Sequence, residues 1–296
     1  MLNLVSISGG KDSTALMLLA IEKEIENTRF VFCDTGNESK VTYDYIEYLN
    51  EQIKKLSGQS LEILKPDFSE IINKRQVRFE KNGDKRSQYM KPSGNPFLDL
   101  AIVKGRFPST MARFCTQELK LAPVKNYINS VLAQGEDVEN WSGIRSDESQ
   151  KRAKMPMREL FLKDEKTGAE AWHYRPILDW KAEDCFNMMK RFNVDPNPLY
   201  KRGFSRVGCF PCINARKSEI RDILLQFPEE FERIRQWEKL AGLTSKRGKS
   251  TFFPIKEDKR ELDDWLKWSL TDKQGREMEF DMDEIKGCRS VYGLCE

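Results

Sequence analysis

The sequence lacks features of membrane insertion and export. None of its 296 residues belongs to an apolar run of 18, and the N-terminus enters an apolar segment without a basic stretch before it. These absences argue against a membrane span and a signal peptide, so we expect a cytoplasmic protein with no membrane partner. Seven cysteines are an odd number, and without an export signal they favour free thiols or metal ligands over disulfides. His173, the only histidine, lies between aromatic residues, and we interpret it as a packing residue.

Charge is nearly balanced over the whole chain but uneven along it. The formal net charge of +3 is too small to indicate a partner. Residues 74–91, "KRQVRFEKNGDKRSQYMK", are basic, and Lys104, Arg106 and Arg113 follow. A solvated surface loop is one interpretation. The other is a lip that meets a polyanion, either nucleic acid or the phosphate tail of a nucleotide.

The first 65 residues alternate between strand and helix patterns. Strands are predicted at 2–8, 29–33 and 61–64, with helices at 12–23 and 41–56 between them. This order predicts an α/β fold with a doubly wound parallel sheet and right-handed crossovers. Ligands of such sheets bind at the carboxyl ends of the strands.

The rest of the chain is less regular. Residues 66–118 are polar and are predicted to form an irregular basic insertion over the sheet edge. A domain boundary is placed near residue 200, which divides a nucleotide-binding domain at 1–200 from a C-terminal region at 201–296. The C-terminal region is predicted to be mostly helical, and it carries a Cys-x-x-Cys pair and two further cysteines near the end.

Residues 8–13, "SGGKDS", join the first strand to the first helix. Gly9 and Gly10 allow a tight turn whose amides point at an anion, and the helix that follows adds the positive end of its dipole. Lys11 supplies a cation, while Ser8 and Ser13 supply hydroxyl donors. A capped turn with no ligand is the alternative. The combination with lysine and two serines favours a phosphate site.

Two other stretches add candidate contacts. Asp34, Thr35 and Gly36 follow the second strand, where a nucleotide would meet the sheet. Residues 143–152, "GIRSDESQKR", place two arginines on either side of a serine-bearing turn. Arginine donates in a fork to phosphate oxygens, although a capped helix start with a Glu148–Arg152 pair explains the same residues.

On these residues the chain resembles the phosphoadenosine phosphosulfate (PAPS) reductase family of the adenine nucleotide alpha-hydrolase superfamily, whose members carry a pyrophosphate (PP) loop. The resemblance covers residues 6–212 and includes "SGGKDS", "FCDTGNES", "GIRSDESQKRA" and "NPLYKRGFSRVGCFPC". It implies a Rossmann-like fold, bound ATP and Mg²⁺. The implied catalytic residues are Lys11, Asp12, Arg145 and Arg152. The implied nucleotide contacts add Ser6, Ser8, Gly9, Gly10, Ser13, Asp34, Thr35, Gly36, Gly143 and Ser149.

Several cysteines, most of them in the second half of the chain, are candidate metal ligands. Cys209 and Cys212 form a Cys-x-x-Cys pair, whose roles include a redox dithiol, half of a zinc site and half of an iron–sulfur site. The resemblance implies a [4Fe–4S] cluster on Cys115, Cys209, Cys212 and Cys295, with Cys288 as a substitute for the last; zinc is the alternative. The chain departs from the family pattern because Thr116 follows Cys115 where a tandem cysteine would stand, and because the tail "YGLCE" is reordered.

Three functions remain open at this stage. The intact Lys11 favours an ATP-dependent adenylating enzyme that supports sulfur transfer, with nucleic acid as the acceptor and a sulfur donor protein or thiol reductant as a partner. A sulfonucleotide reductase that releases sulfite from PAPS or adenosine phosphosulfate is second. A nucleotide-sensing module without catalysis is third. The sequence leaves a homo-oligomer open.

Overall fold

A six-stranded sheet organises the first two-thirds of the chain. The computed structural model describes residues 1–255, 259 and 261–295. The strand order is β3-β2-β1-β4-β6-β5, and every neighbouring pair is parallel except β5 with β6. The strands are β1 (Leu2–Ile7), β2 (Thr28–Cys33), β3 (Leu61–Leu64), β4 (Val138–Trp141), β5 (Arg158–Lys163) and β6 (Glu170–Tyr174). The predicted α/β, Rossmann-like architecture is therefore confirmed, with an antiparallel edge hairpin that the sequence analysis did not foresee.

Helices cover both faces of the sheet and form the C-terminal region. They are α1 (Lys11–Glu22), α2 (Lys40–Ser57), α3 (Ser69–Lys81), α4 (Pro96–Lys104), α5 (Phe114–Thr116), α6 (Ala122–Leu132), α7 (Gln150–Ala153), α8 (Ala182–Arg191), α9 (Lys217–Gln226), α10 (Glu229–Thr244), α11 (Leu262–Ser269) and α12 (Met282–Lys286). A π-helical segment at Gln117–Leu121 joins α5 to α6. No helix of the described residues is long and apolar enough to cross a membrane.

Local sequence explains where the first helices begin and end. The Ser39 side chain accepts a hydrogen bond from the Thr42 amide at the start of α2, and Gly58 ends that helix in the left-handed region at φ 70°. Helix α1 begins directly after Gly10, without a side-chain cap. Its first amides are therefore left for another partner.

The apolar core has three parts. One part packs α1, α2 and α8 against one face of the sheet, and another packs α6 against the opposite face. The third joins residues 68–119 to residues 199–253 and 262–266 through aromatic side chains such as Phe97, Trp237 and Phe252. The core thus continues across residue 200, where the sequence suggests a boundary.

Residues 66–118 contain the helices α3, α4 and α5, joined by less regular segments, and contribute buried side chains to the core, so the segment is more regular than the sequence pattern indicates. Helix α4 is buried along its length, from Pro96 to Val103, against α10 and neighbouring aromatic residues. Helix α3, in the same segment, is mostly polar and exposed, and only its Ile72 is buried. The segment as a whole therefore reads as polar although it contains the apolar helix α4. The apolar stretch 97–103 is the signal that was available.

Candidate active site

The loop of residues 8–13 forms an anion cradle at the carboxyl end of β1. Gly9 adopts φ +71°, which favours glycine. The Ser8 amide donates to Ser13 Oγ at 3.1 Å, and the Ser8 and Ser13 hydroxyls lie 3.0 Å apart. The Lys11 amide donates to the Tyr200 hydroxyl at 2.9 Å. These bonds hold a tight turn at the positive end of α1, which is the arrangement that binds phosphate elsewhere.

An ion network centred on the buried Arg145 lies beneath the cradle and includes the partly exposed Asp12 and the exposed Asp147. Arg145 is 4% exposed; its Nε donates to Asp12 Oδ1 at 2.6 Å and its Nη1 to Asp147 Oδ2 at 2.7 Å. Burial opposes the charge of Arg145, but the two carboxylates outweigh it and raise the pKa of the guanidinium. The Cys185 thiol also donates to Asp12, at 3.5 Å. The contacts of Arg145 therefore orient the Asp12 carboxylate.

Gly143 joins this network to the cradle through a close approach. A Cβ at this position would lie 3.1 Å from the backbone of Asp12 and Ser13. Such a contact is tighter than most Cβ contacts, so a side chain here would require the backbone of Asp12 and Ser13 to shift by a few tenths of an ångström. The two motifs therefore meet at Gly143.

A cavity of about 840 Å³, which we call the nucleotide cavity, opens from the cradle. Its size suits a nucleotide. Six cationic side chains and three acidic ones line it: Lys11, Lys120, Lys125, Arg152, Arg175 and Arg206, with Asp12, Glu38 and Glu148. The excess of cations favours an anionic ligand.

The end of this cavity near β4 and β6 is lined by ring and amide groups. His173 stacks on Phe161 with ring centres 3.8 Å apart, and Asn140 Nδ2 lies 3.3 Å from His173 Nδ1. Burial, aided by Arg175, lowers the pKa of His173, so the imidazole is neutral at pH 7. The expectation of a half-buried packing residue describes His173, which also contributes to the cavity wall.

The structure gathers part of the predicted nucleotide site around this cavity. The residues that line it are Ser6, Ser8, Gly10, Lys11, Asp12, Ser13, Gly143 and Arg152. Gly9 and Arg145 do not line it but support the residues that do.

The other residues predicted to contact the nucleotide form hydrogen bonds with nearby residues of the chain. Asp34 accepts from the Gly36 amide at 2.9 Å and from the Tyr43 hydroxyl at 2.7 Å, while Thr35 donates to Glu38 at 2.8 Å. Ser149 Oγ accepts from the Arg152 amide at 3.3 Å and caps α7. The structure places Asp34, Thr35, Gly36 and Ser149 outside the nucleotide cavity. Thr35 lies instead in the wall of a smaller cavity beside it.

Several lining residues carry no sequence signal. Lys120 and Lys125 lie five residues apart in one helical run and Arg175 follows β6, and all three lie outside the motifs quoted above. Arg206 lies within the quoted stretch 197–212, although nothing in that stretch marks it as a phosphate contact. Tyr200 lies within "NPLY", but its bond to Lys11 spans 189 residues of sequence. Only the folded chain brings these groups together.

A second, smaller cavity of about 260 Å³ lies beside the first and contains three cysteines. We call it the cysteine cavity; Cys115, Cys209 and Cys212 line it. It shares four wall residues with the nucleotide cavity: Lys120, Arg206, Val207 and Gly208. Burial raises the pKa of Cys209 to about 12, and the proximity of Cys209 raises the pKa of Lys120 despite the burial of that lysine. The thiols and the nucleotide cavity thus share one charged wall.

The cysteines do not fit the predicted four-cysteine metal site. Cys288 and Cys295 are joined in a disulfide with Cα atoms 5.4 Å apart, so the assignment of Cys295, or Cys288, as a ligand is corrected: bonded sulfurs are not available as thiolates. This disulfide also corrects the expectation that the cysteines are free thiols or ligands. Among the described residues no three His, Cys, Asp or Glu side chains are placed to hold a metal ion. The cysteine cavity supplies three thiols, one fewer than an all-cysteine [4Fe–4S] site requires.

The fold and cradle together define a PP-loop protein of the adenine nucleotide alpha-hydrolase type. The model of the phosphoadenosine phosphosulfate reductase domain matches residues 3–215, and the chain belongs to that family. The resemblance inferred from the motifs is confirmed.

The chain is also similar to several individual proteins. A 37.8 kDa protein in the gpa 5′ region of Escherichia phage 186 is 38% identical over 328 aligned residues, which cover 100% of this chain and 97% of that protein. Adenosine 5′-phosphosulfate reductase 1 of Bacillus subtilis is 26% identical over 193 residues, 65% of each chain. The crystal structure of PAPS reductase from Candida auris aligns with a TM-score of 0.43 at 16% identity, over 72% of this chain and 83% of that one. The chain spans 45% of a relative from Methanocaldococcus jannaschii to which it is 27% identical.

Proposed function

We propose that this protein binds ATP and transfers its adenylyl group to an acceptor that then receives sulfur. The cradle holds the β- and γ-phosphates, and an acceptor oxygen attacks the α-phosphorus. Mg²⁺ bound to ATP would offset part of the phosphate charge. The α,β-bridging bond breaks, pyrophosphate leaves and the acceptor oxygen carries AMP. A sulfur nucleophile then displaces AMP from the acceptor.

The observation that carries this proposal is the intact cradle with Lys11. Its ammonium, the loop amides and the start of α1 together supply positive charge for a leaving pyrophosphate. Lys11 is 7% exposed and lies 3.4 Å from Asp12 Oδ2, so its position is defined before any ligand binds. Such catalysis depends on positioning and electrostatics.

The wall shared by the two cavities supports the sulfur step. Lys120 and Arg206 line both cavities, so an acceptor held at the α-phosphate lies close to the thiols of the cysteine cavity. A [4Fe–4S] cluster, or zinc, bound to the three thiols stays a prediction, and the reaction above requires neither.

Nucleic acid is the proposed acceptor class. Helix α3 and the turn after it expose Arg78, Lys81 and Lys85 to solvent, as a surface that meets a phosphate backbone would. A sulfur donor protein or a thiol reductant would complete the reaction.

The test is incubation with α-labelled ATP and Mg²⁺, with and without bulk transfer RNA or DNA. The expected products are AMP and pyrophosphate, with exchange of labelled pyrophosphate into ATP. Nucleotide binding without turnover under either condition would instead support a nucleotide-sensing module.

A sulfonucleotide reductase is the second candidate, favoured by the placement of the C-terminal cysteines. Their disulfide flanks Tyr292, whose ring centre lies 5.3 Å from Lys11 Nζ. Release of sulfite from PAPS or adenosine phosphosulfate in the presence of a dithiol, with no ATP turnover, would favour this candidate over adenylation.

A further inference from the structure

The C-terminal tail, residues 288–295, is a closed loop docked beside the cradle. Its ends are joined by the Cys288–Cys295 disulfide, and both cysteines are exposed. The Arg289 amide donates to the Lys201 carbonyl at 2.8 Å, and its guanidinium donates to Asp222 at 3.0 Å. The tail is thereby attached to the segment that contains Tyr200.

Tyr292 connects this tail to the phosphate cradle. Its ring packs against Tyr200 and Phe186, with ring centres 5.6 and 5.1 Å away, and its hydroxyl donates to the Ser205 carbonyl at 2.9 Å. Lys11 Nζ lies 5.3 Å from the Tyr292 ring centre and 5.8 Å from that of Tyr200. Tyr292 does not line the nucleotide cavity, so it contacts the ammonium from outside the position of a phosphate.

We propose that Tyr292 is a positioning residue for Lys11, and that the Cys288–Cys295 disulfide makes this positioning depend on redox state. The aromatic pair holds the Lys11 ammonium by cation–π attraction and directs it toward the cavity. The disulfide limits the conformations of the tail and thereby lowers the entropic cost of docking Tyr292.

Reduction by an external dithiol opens the loop. The dithiol gives two electrons and two protons to the disulfide sulfurs, leaves two thiols on the tail and becomes a cyclic disulfide itself. Exposure of both sulfurs gives such a reductant access. The open tail docks Tyr292 less tightly, and the anion affinity of the cradle falls.

The test measures binding of inorganic pyrophosphate by calorimetry to the full chain, before and after reduction with dithiothreitol. We expect affinity to fall about 3- to 10-fold on reduction, the range of a partly buried cation–π contact. A double variant C288S/C295S should bind as the reduced protein does, whatever the redox state. Alkylation before reduction should leave Cys288 and Cys295 unmodified.

Variants of Tyr292 separate positioning from general stability. Y292L should weaken binding in the oxidised protein and abolish the redox difference, whereas Y292F keeps the ring and should retain most of it. Y89L, at a tyrosine that is 40% exposed and lines neither the nucleotide cavity nor the cysteine cavity, is the matched control and should leave both affinities unchanged.

The outcomes distinguish this inference from the proposed function on which it rests. Equal pyrophosphate affinity in both redox states, or alkylation of both tail cysteines without reduction, overturns the inference and leaves ATP binding intact. If neither the oxidised nor the reduced protein binds pyrophosphate, the cradle is not a phosphate site, and both the proposed function and this inference are overturned.

Discussion

The nucleotide cavity and the cysteine cavity share a wall but arise from the chain in different ways. The cradle of the first is one contiguous loop between β1 and α1. The thiols of the second come from positions about a hundred residues apart, Cys115 and the Cys209–Cys212 pair. The cradle forms together with helix α1, whereas the cysteine cavity depends on the core that joins residues 68–119 to residues 199–253 and 262–266. Substitution of a single charged residue should therefore change the function of the nucleotide cavity most, whereas the reactivity of the thiols in the cysteine cavity should depend mainly on their burial.

The largest expected effect is from removal of Arg145 beneath the cradle. R145A removes the buried guanidinium that pairs with Asp12 and leaves Lys11 as the remaining buried cation beside that carboxylate. The free energy of unfolding should fall by about 3 kcal/mol, the lower end for a broken buried pair. Urea unfolding measures it. R276A removes an exposed pair with Asp272 and should cost less than about 1 kcal/mol. Adding D12N to R145A should restore part of the loss; unchanged stability of R145A would contradict the structural role of the network.

The next effect concerns catalysis in the nucleotide cavity. K11A should lower pyrophosphate exchange about 10²- to 10³-fold, because one preorganised donor to the leaving group is lost. K40A, whose side chain is 85% exposed and paired with Asp44, is the control and should leave exchange unchanged. Full activity of K11A would remove the observation that carries the proposed adenylation.

A smaller effect tests burial in the cysteine cavity. Because burial raises the pKa of Cys209 to about 12, its thiol is protonated at pH 8, and iodoacetamide should modify it at least about tenfold more slowly in the folded protein than in urea. Mass spectrometry of the metal-free, reduced protein measures the two rates. K120M should slow the reaction further, since Lys120 lowers this pKa. Equal rates would show that the cavity does not shield Cys209.

The smallest effect concerns the single histidine. Burial and the nearby Arg175 lower the pKa of His173, so its ring signals in NMR should titrate below 6.5, the ordinary value for histidine. The neutral form is favoured by folding, so this contribution to stability is complete above pH 6.5 and is lost as pH falls through the folded pKa. H173Q should remove that pH dependence of unfolding. A titration midpoint of His173 at or above pH 6.5 would contradict the burial of its ring.

The sequence could predict what depends on periodicity and local turns. The strand and helix patterns of residues 2–64 and the "SGGKDS" loop were found because each is formed by neighbours in the chain. The β5–β6 hairpin was missed because it is a polar edge with half-exposed residues, and α4 was missed inside a polar segment. Arg145 was predicted to bind phosphate, yet its pairing with Asp12 spans 133 residues and is invisible to any motif.

The sequence by itself determined the family, the Rossmann-like sheet and the phosphate cradle, because these follow from local patterns and from the order of elements. Tertiary structure alone decided which cations line the nucleotide cavity, that three cysteines share its wall and that the last two cysteines bond to each other. Such contacts depend on how distant segments pack. Local patterning carries no record of that packing, so the placement of Tyr292 beside Lys11 emerges only from the folded chain.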